Sequence, residues 1–112
     1  LIKKNSICLL LFVLLAGCAN TIGGDLFYNH IDQLEEALDQ PDWEQIKLQA
    51  EELNDIYIDS KWKLQLLGDE GEYEQLNESI QKIIAAVKEE DTTNVRMELA
   101  TARSLVADIY SL

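Results

Sequence analysis

The sequence predicts an all-α fold: an antiparallel up-down-up-down four-helix bundle that follows an N-terminal signal peptide. Three observations lead there. Beyond residue 25, apolar residues recur at steps of 3 and 4 through four separate segments. Three short turn signals divide those segments. No stretch sustains the apolar–polar alternation of a half-buried strand. Connections this short oblige neighbouring helices to run antiparallel.

Residues 1–17 read as the signal peptide. The basic pair Lys3-Lys4 precedes a nine-residue apolar run, Ile7 to Leu15, and small residues then lead to Cys18. A charged start, a short greasy centre and small residues before a cut site are the marks of a secretory signal. A retained transmembrane helix is the competing reading, but it would need roughly 20 apolar residues. The four residues Leu15-Ala16-Gly17-Cys18 resemble the lipobox of bacterial lipoproteins at every position. That resemblance implies a diacylglyceryl thioether on the Cys18 sulfur and cleavage between Gly17 and Cys18. An ordinary thiol at Cys18 is the alternative. Residues 18–24 are then the lipidated cysteine and a tether, Ala19 to Gly24, small in side chain and ending in two glycines. Six such residues span at most about 20 Å, so the domain at 25–112 would ride close to the membrane.

The first helix is expected over 25–40, with Phe27, Ile31, Leu34 and Leu38 on one face. Pro41 disfavours helix at Gln40. Asp42 is a good N-cap, and Gln45 three residues on suggests a capping box. The second helix, 43–67, carries Trp43, Ile46, Ala50, Leu53, Tyr57, Leu64 and Leu67 in register. Gly68 is a plausible C-cap and with Gly71 brackets the second turn. The third helix, 72–89, shows Tyr73, Leu76, Ile80, Ile83 and Val87. Glu89 to Thr93 supply the third turn and an N-cap. Val95, Leu99, Ala102, Val106 and Ile109 mark the fourth helix, 93–111. At about 37 Å against about 24 Å, the second helix outreaches the first and must overhang, bend or lean on the others.

Composition narrows the function classes. Removing 17 of 112 residues leaves 95, enough for one small domain. The mature part loses Lys3 and Lys4 and keeps 7 basic and 21 acidic residues, hence 7 − 21 = −14. Such a surface repels nucleic acid and anionic headgroups. Cys8 departs with the signal and Cys18 would be acylated, so no disulfide forms within the mature chain and core packing alone must stabilise it. Phosphate-cradling glycine loops, HExxH helices and GxSxG elbows are absent from the sequence. His30, the single histidine, flanks the first helix's seam and is expected as a partly solvated imidazole, with no cysteine partner for a zinc site. No cofactor is implied.

Two groups of residues remain as candidate surfaces. Asp39, Asp42 and Glu44 at the first turn and Glu89, Glu90 and Asp91 at the third share one end of an up-down-up-down bundle. They read either as a solvated acidic end or as a surface for a basic partner or divalent cations, without the calcium-loop spacing of an EF-hand. Asp69, Glu70, Glu72 and Glu74 lie at the opposite, membrane-proximal end. They are expected to repel an anionic bilayer and leave the acyl chains as the whole attachment. Trp43 and Trp62, 19 residues apart, point about 100° away from each other on the second helix. Trp62 falls with Ile58 and Leu66 on a second apolar stripe, read as helix packing on two sides or as an exposed patch for a partner or dimer. Arg96 and Arg103 are expected to pair with carboxylates at little gain.

From Asp42-Trp43 through the acidic second helix, Trp62, the acidic turn, Tyr73-x-x-Leu76-x-x-x-Ile80 and the Leu/Ala-rich last helix, the chain resembles a domain-of-unknown-function family. Its members are short, membrane-anchored helical proteins of low-GC Gram-positive bacteria. The resemblance spans roughly 42–110 and implies an extracytoplasmic helical module with no catalytic residues. The expectation is therefore a lipid-anchored lipoprotein on the outer face of the plasma membrane, serving as a non-enzymatic protein-interaction module. The alternative is a small-ligand or divalent-cation binding protein using the bundle core or the acidic distal turns. Monomer and dimer stand equal.

Overall fold

The computed structural model describes residues 24–111, which form four α-helices: α1 Asp25–Ala37, α2 Trp43–Leu67, α3 Glu70–Lys88 and α4 Thr92–Ile109. Among the described residues there is no strand. Residues 1–23, on which the expected signal peptide, lipidated Cys18 and tether fall, lie outside the described residues.

Side-chain pairs fix the directions of the helices. Between α1 and α4, Asp32 meets Arg103 and Asp39 meets Arg96, so one helix rises as the other descends. Between α2 and α3, the Tyr57 hydroxyl donates to the Tyr73 carbonyl at 3.1 Å and Gln81 Nε2 donates to Asn54 at 3.0 Å. These two helices are antiparallel as well. α1 packs on α2 and α4, and α3 also packs on α2 and α4, which closes the ring.

The core is the seam that the 3–4 spacing marks. Phe27, Ile31, Leu34, Ile46, Leu53, Leu64, Leu76, Ile80, Ile83, Val95, Leu99 and Ile109 are buried almost completely. Each contributes roughly 1.5–3 kcal/mol in removing its side chain from water. Trp43, Leu67 and Tyr73, at the ends of helices, are only partly buried. Among the described residues the one buried polar residue is Ser79, whose hydroxyl donates to the Glu98 carbonyl at 3.1 Å. An unpaired hydroxyl there would be costly to desolvate.

α4 runs Thr92–Ile109 rather than 93–111 and α3 ends at Lys88 rather than 89; four other helix-end features depart from expectation for reasons the contacts show. α1 stops at Ala37 rather than residue 40. Leu38 remains buried, but it does so from the turn, and the Leu38 amide is shared between the Leu34 and Glu35 carbonyls. Asp42 stands at the N-cap of α2 but its side chain makes no cap bond, so the expected capping box is not formed. That end is exposed, which leaves its free amides open to solvent rather than buried without partners. The complete capping box is at α3 instead: Asp69 Oδ1 accepts from the Glu72 amide at 2.8 Å while Glu72 Oε1 accepts from the Asp69 amide at 3.0 Å. This starts α3 at Glu70, two residues early, and takes Gly71 into the helix. Finally, α3 ends in a left-handed residue that is not glycine. Glu90 has φ 54°, with the Asp91 amide bonded to the Ala86 carbonyl and the Glu90 amide to Val87. That is a Schellman closure with glutamate in the usual glycine position.

The unequal lengths of α1 and α2 shape the end of the bundle that holds the second turn. His30 lies opposite Glu52, so the start of α1 at Asp25 falls opposite residue 57. Residues 58–67 of α2 therefore run past the beginning of α1, and α4 closes onto them. A Cβ on Gly68 would approach Ile109 to 3.1 Å. Gly24, at φ 76°, turns the chain into α1 beneath the Tyr110 ring, which a Cβ would meet at 2.9 Å. Phe27 and Tyr110 are 6.5 Å apart, centroid to centroid.

Candidate functional site

The first and third turns stand at one end of the bundle. Arg96 Nη2 bonds Asp39 Oδ1 at 2.9 Å across that end, and Trp43, Glu44, Lys47, Val87, Lys88 and Glu90 line a shallow depression of about 220 Å³ there. The six acids do not form one free cluster. Asp39 is paired with Arg96, and Asp91 caps α4 by accepting from the Asn94 amide at 3.1 Å and the Asn94 side chain at 2.6 Å. Lys47, Lys88 and Arg96 lie among them. Among the described residues, no group of three or more His, Cys, Asp or Glu side chains is placed to hold a metal ion. A cation reading of the distal turns thus finds no preformed ligand set.

His30 sits where the spacing placed it, beside the α1 seam, with its side chain 14% exposed and Nε2 3.0 Å from Glu52 Oε2. The bond fixes the ring against α2 rather than aiming it at a cleft. Arg103 holds both Asp32 and Glu35 and lies over the Tyr28 ring. This ties α1 to α4 along a half-exposed edge, where such pairs contribute about 0–1 kcal/mol each.

The Trp62 stripe departs from the reading of two-sided packing. Ile58, Trp62 and Leu66 are 59%, 60% and 77% exposed. The core-facing positions of α2 are Ile46, Ala50, Leu53, Tyr57 and Leu64, and at 100° per residue the stripe lies on the far side of the helix. The same outward face is mainly acidic in the first half of α2, with Glu44, Glu51 and Asp55 around the exposed Leu48, and mainly apolar in the second, where Asp59 is the acid beside Ile58, Trp62 and Leu66. Lys61 and Lys63 flank Trp62, with the Lys63 ammonium 5.4 Å from the indole centroid. Lys63, Leu66, Leu67 and Tyr110 line an almost wholly apolar depression of about 190 Å³. A neighbouring one of about 320 Å³ runs from Ser60 and Lys63 to Gly24, Leu26 and Phe27. Leu26 is itself 59% exposed.

Two tyrosines near this end are tuned by burial. Desolvation pushes the Tyr57 hydroxyl above its usual 10.0, helped by the neighbouring Tyr73 and Glu74 charges. Tyr110 is raised by desolvation and then by Tyr28. Both are therefore neutral at physiological pH, and Tyr57 keeps the proton it donates to the Tyr73 carbonyl.

A family model described as Domain of unknown function (DUF4363) matches residues 24–112. The chain belongs to this family. The match takes in α1, which the resemblance over 42–110 had left out, so the DUF4363 domain corresponds to the whole four-helix ring. Comparison with curated proteins and with solved structures gives no match. Leu15 to Cys18 precede the DUF4363 domain and lie outside the described residues. Within the domain, no helix of the described residues is long and apolar enough to cross a membrane.

Proposed function

We propose that this DUF4363 chain is a bacterial lipoprotein, held on the outer face of the plasma membrane by a diacylglyceryl group on Cys18. Its bundle serves there as a non-enzymatic interaction module for a protein with a basic surface. The anchor rests on Leu15-Ala16-Gly17-Cys18 behind its basic and apolar flanks, and it accords with the resemblance to membrane-anchored helical proteins. The single observation that carries the interaction role is the closed core. Apolar side chains from all four helices fill the interior, so the domain meets other molecules through its outer surface. That surface carries the −14 of the mature part, which steers encounters toward positive partners.

Crosslinking in intact cells tests the reading. The wild-type chain should yield a defined protein partner. A variant with Asp39, Asp42 and Asp91 changed to Asn and Glu44, Glu89 and Glu90 changed to Gln should lose it while remaining folded and membrane-bound. Asn keeps the capping oxygen at 91. Unchanged crosslinking in that variant would refute a basic partner at this end.

A further inference from the structure

We infer that the outward face of the second half of α2, Ile58, Trp62 and Leu66 together with Leu26 of α1, docks on the lipid interface of the membrane to which the chain is tethered. This rests on the anchored reading above and adds a second, non-covalent contact to it. The occupant follows from position. Gly24 lies under Tyr110, so the chain leaves the bundle at the end where these residues are exposed. A depression shared by Gly24, Leu26 and Lys63 opens at the exit point, and Lys63 and Tyr110 also line the second depression, which reaches Leu66 of the stripe. The five residues 19–23 between Cys18 and Gly24 span at most about 18 Å. Hence the acyl chains hold this face within reach of the bilayer at all times.

The chemistry of the face suits an interface rather than the hydrocarbon interior. An indole with a polar N–H prefers the headgroup level. Lys61 and Lys63 on either side of Trp62 let their stems lie along apolar surface while their ammonium groups reach phosphate. The acids of the second turn work against attraction, but Asp69 and Glu72 are engaged in the α3 capping box, at a helix N-terminus that favours negative charge. On the same face of α2, Glu44, Glu51 and Asp55 resist approach to the bilayer, and Asp59, beside Ile58 and one turn before Trp62, marks the edge of the apolar half, with Lys61 and Lys63 offsetting its charge. The bundle therefore leans, with its second-turn end against lipid and its acidic first half of α2 lifted away. A second copy of the chain is disfavoured as occupant because each mature domain carries the same strong negative charge.

The two tryptophans make the test internal to one molecule. The acylated full-length protein is reconstituted into phosphatidylcholine vesicles with and without acyl-chain bromine, a quencher that acts on contact. The Trp43→Phe variant reports Trp62 alone, and Trp62→Phe reports Trp43 alone. Seated about 5–10 Å into the headgroup and acyl boundary, Trp62 should emit at shorter wavelength and be quenched by bromolipid, most strongly by bromine near the headgroup. Trp43 should be unaffected. Leu66→Glu should return Trp62 emission to that of water. Mass spectrometry of the same samples reads Cys18. An acylated chain whose Trp62 stays water-like refutes the docking face alone. So does a Trp62 that is shielded but unquenched in a crosslinkable dimer or with a protein partner. An unacylated chain refutes the anchored reading and this face with it.

Discussion

Glu90 is in the left-handed region at φ 54°, and replacing it with glycine should stabilise the domain. An L-residue there costs about 1–2 kcal/mol because its Cβ crowds the following carbonyl. Glycine removes that penalty but returns about 0.5–1 kcal/mol through its freer unfolded chain. The net expectation for Glu90→Gly is about 0.5–1 kcal/mol of added stability. The Schellman bonds from Asp91 to Ala86 and from Glu90 to Val87 use backbone only, so they survive the change. For a domain of this size, about 1 kcal/mol moves Tm by roughly 4–8 °C. Thermal unfolding followed by circular dichroism measures the shift. Urea unfolding should show a higher midpoint at unchanged slope. Glu90→Gln removes the charge beside Glu89 and Asp91 but keeps the Cβ, and Glu90→Ala keeps the Cβ without the stem. Both should recover only the small charge-relief part. A glycine variant no more stable than these two would refute the strain assigned to Glu90.

Three further outcomes follow from the geometry. Asp69→Ala should cost about 0.5–2 kcal/mol through loss of the capping box, whereas Asp42→Ala, which removes no cap bond, should be close to neutral; parallel urea titrations compare them. Leu99→Ala empties a site at 0% exposure and should cost about 2–5 kcal/mol, a large part of the stability of a small domain. Tyr57 and Tyr110 have folded pKa values raised above their usual 10.0. Above pH 10 the unfolded chain loses these protons first, so stability is fully present below pH 10 and falls as pH rises through the folded values. The double variant Tyr57→Phe with Tyr110→Phe should flatten that decline in Tm as pH rises above 10.

The apolar seam was the most legible part of the chain. Every buried hydrophobic side chain of α1 to α4 falls on the 3–4 spacing, because only one face of each helix meets the others and packing enforces that period. Helix ends were less legible. The Asp69-x-x-Glu72 box is written in the sequence, yet Gly68 and Gly71 drew attention to a turn, whereas Gly71 is simply tolerated in the first turn of α3. Glu90 could not be foreseen in a conformation that glutamate avoids; the closure of α3 onto α4 imposes it. Ser79 reads as a surface residue until Glu98 is seen beside it. The Trp62 stripe carries the sharpest lesson. Spacing alone identifies an apolar face but not whether a neighbour covers it, and the core of α2 lies on the opposite side. Of the candidate acids, chain order placed Asp39, Asp42, Glu44, Glu89, Glu90 and Asp91 at one end, but it could not reveal that Asp39 is held by Arg96 and that Asp91 caps α4.

The claim on which the account depends is the lipid at residue 18. Intact-mass and peptide analysis of the native protein, purified from washed membranes, tests it directly. The expected result is a mature chain that begins at Cys18 and carries a diacylglyceryl group on its sulfur, and a Cys18→Ala chain that keeps residues 1–17. A native protein with a free Cys18 thiol, still joined to Gly17, would contradict it.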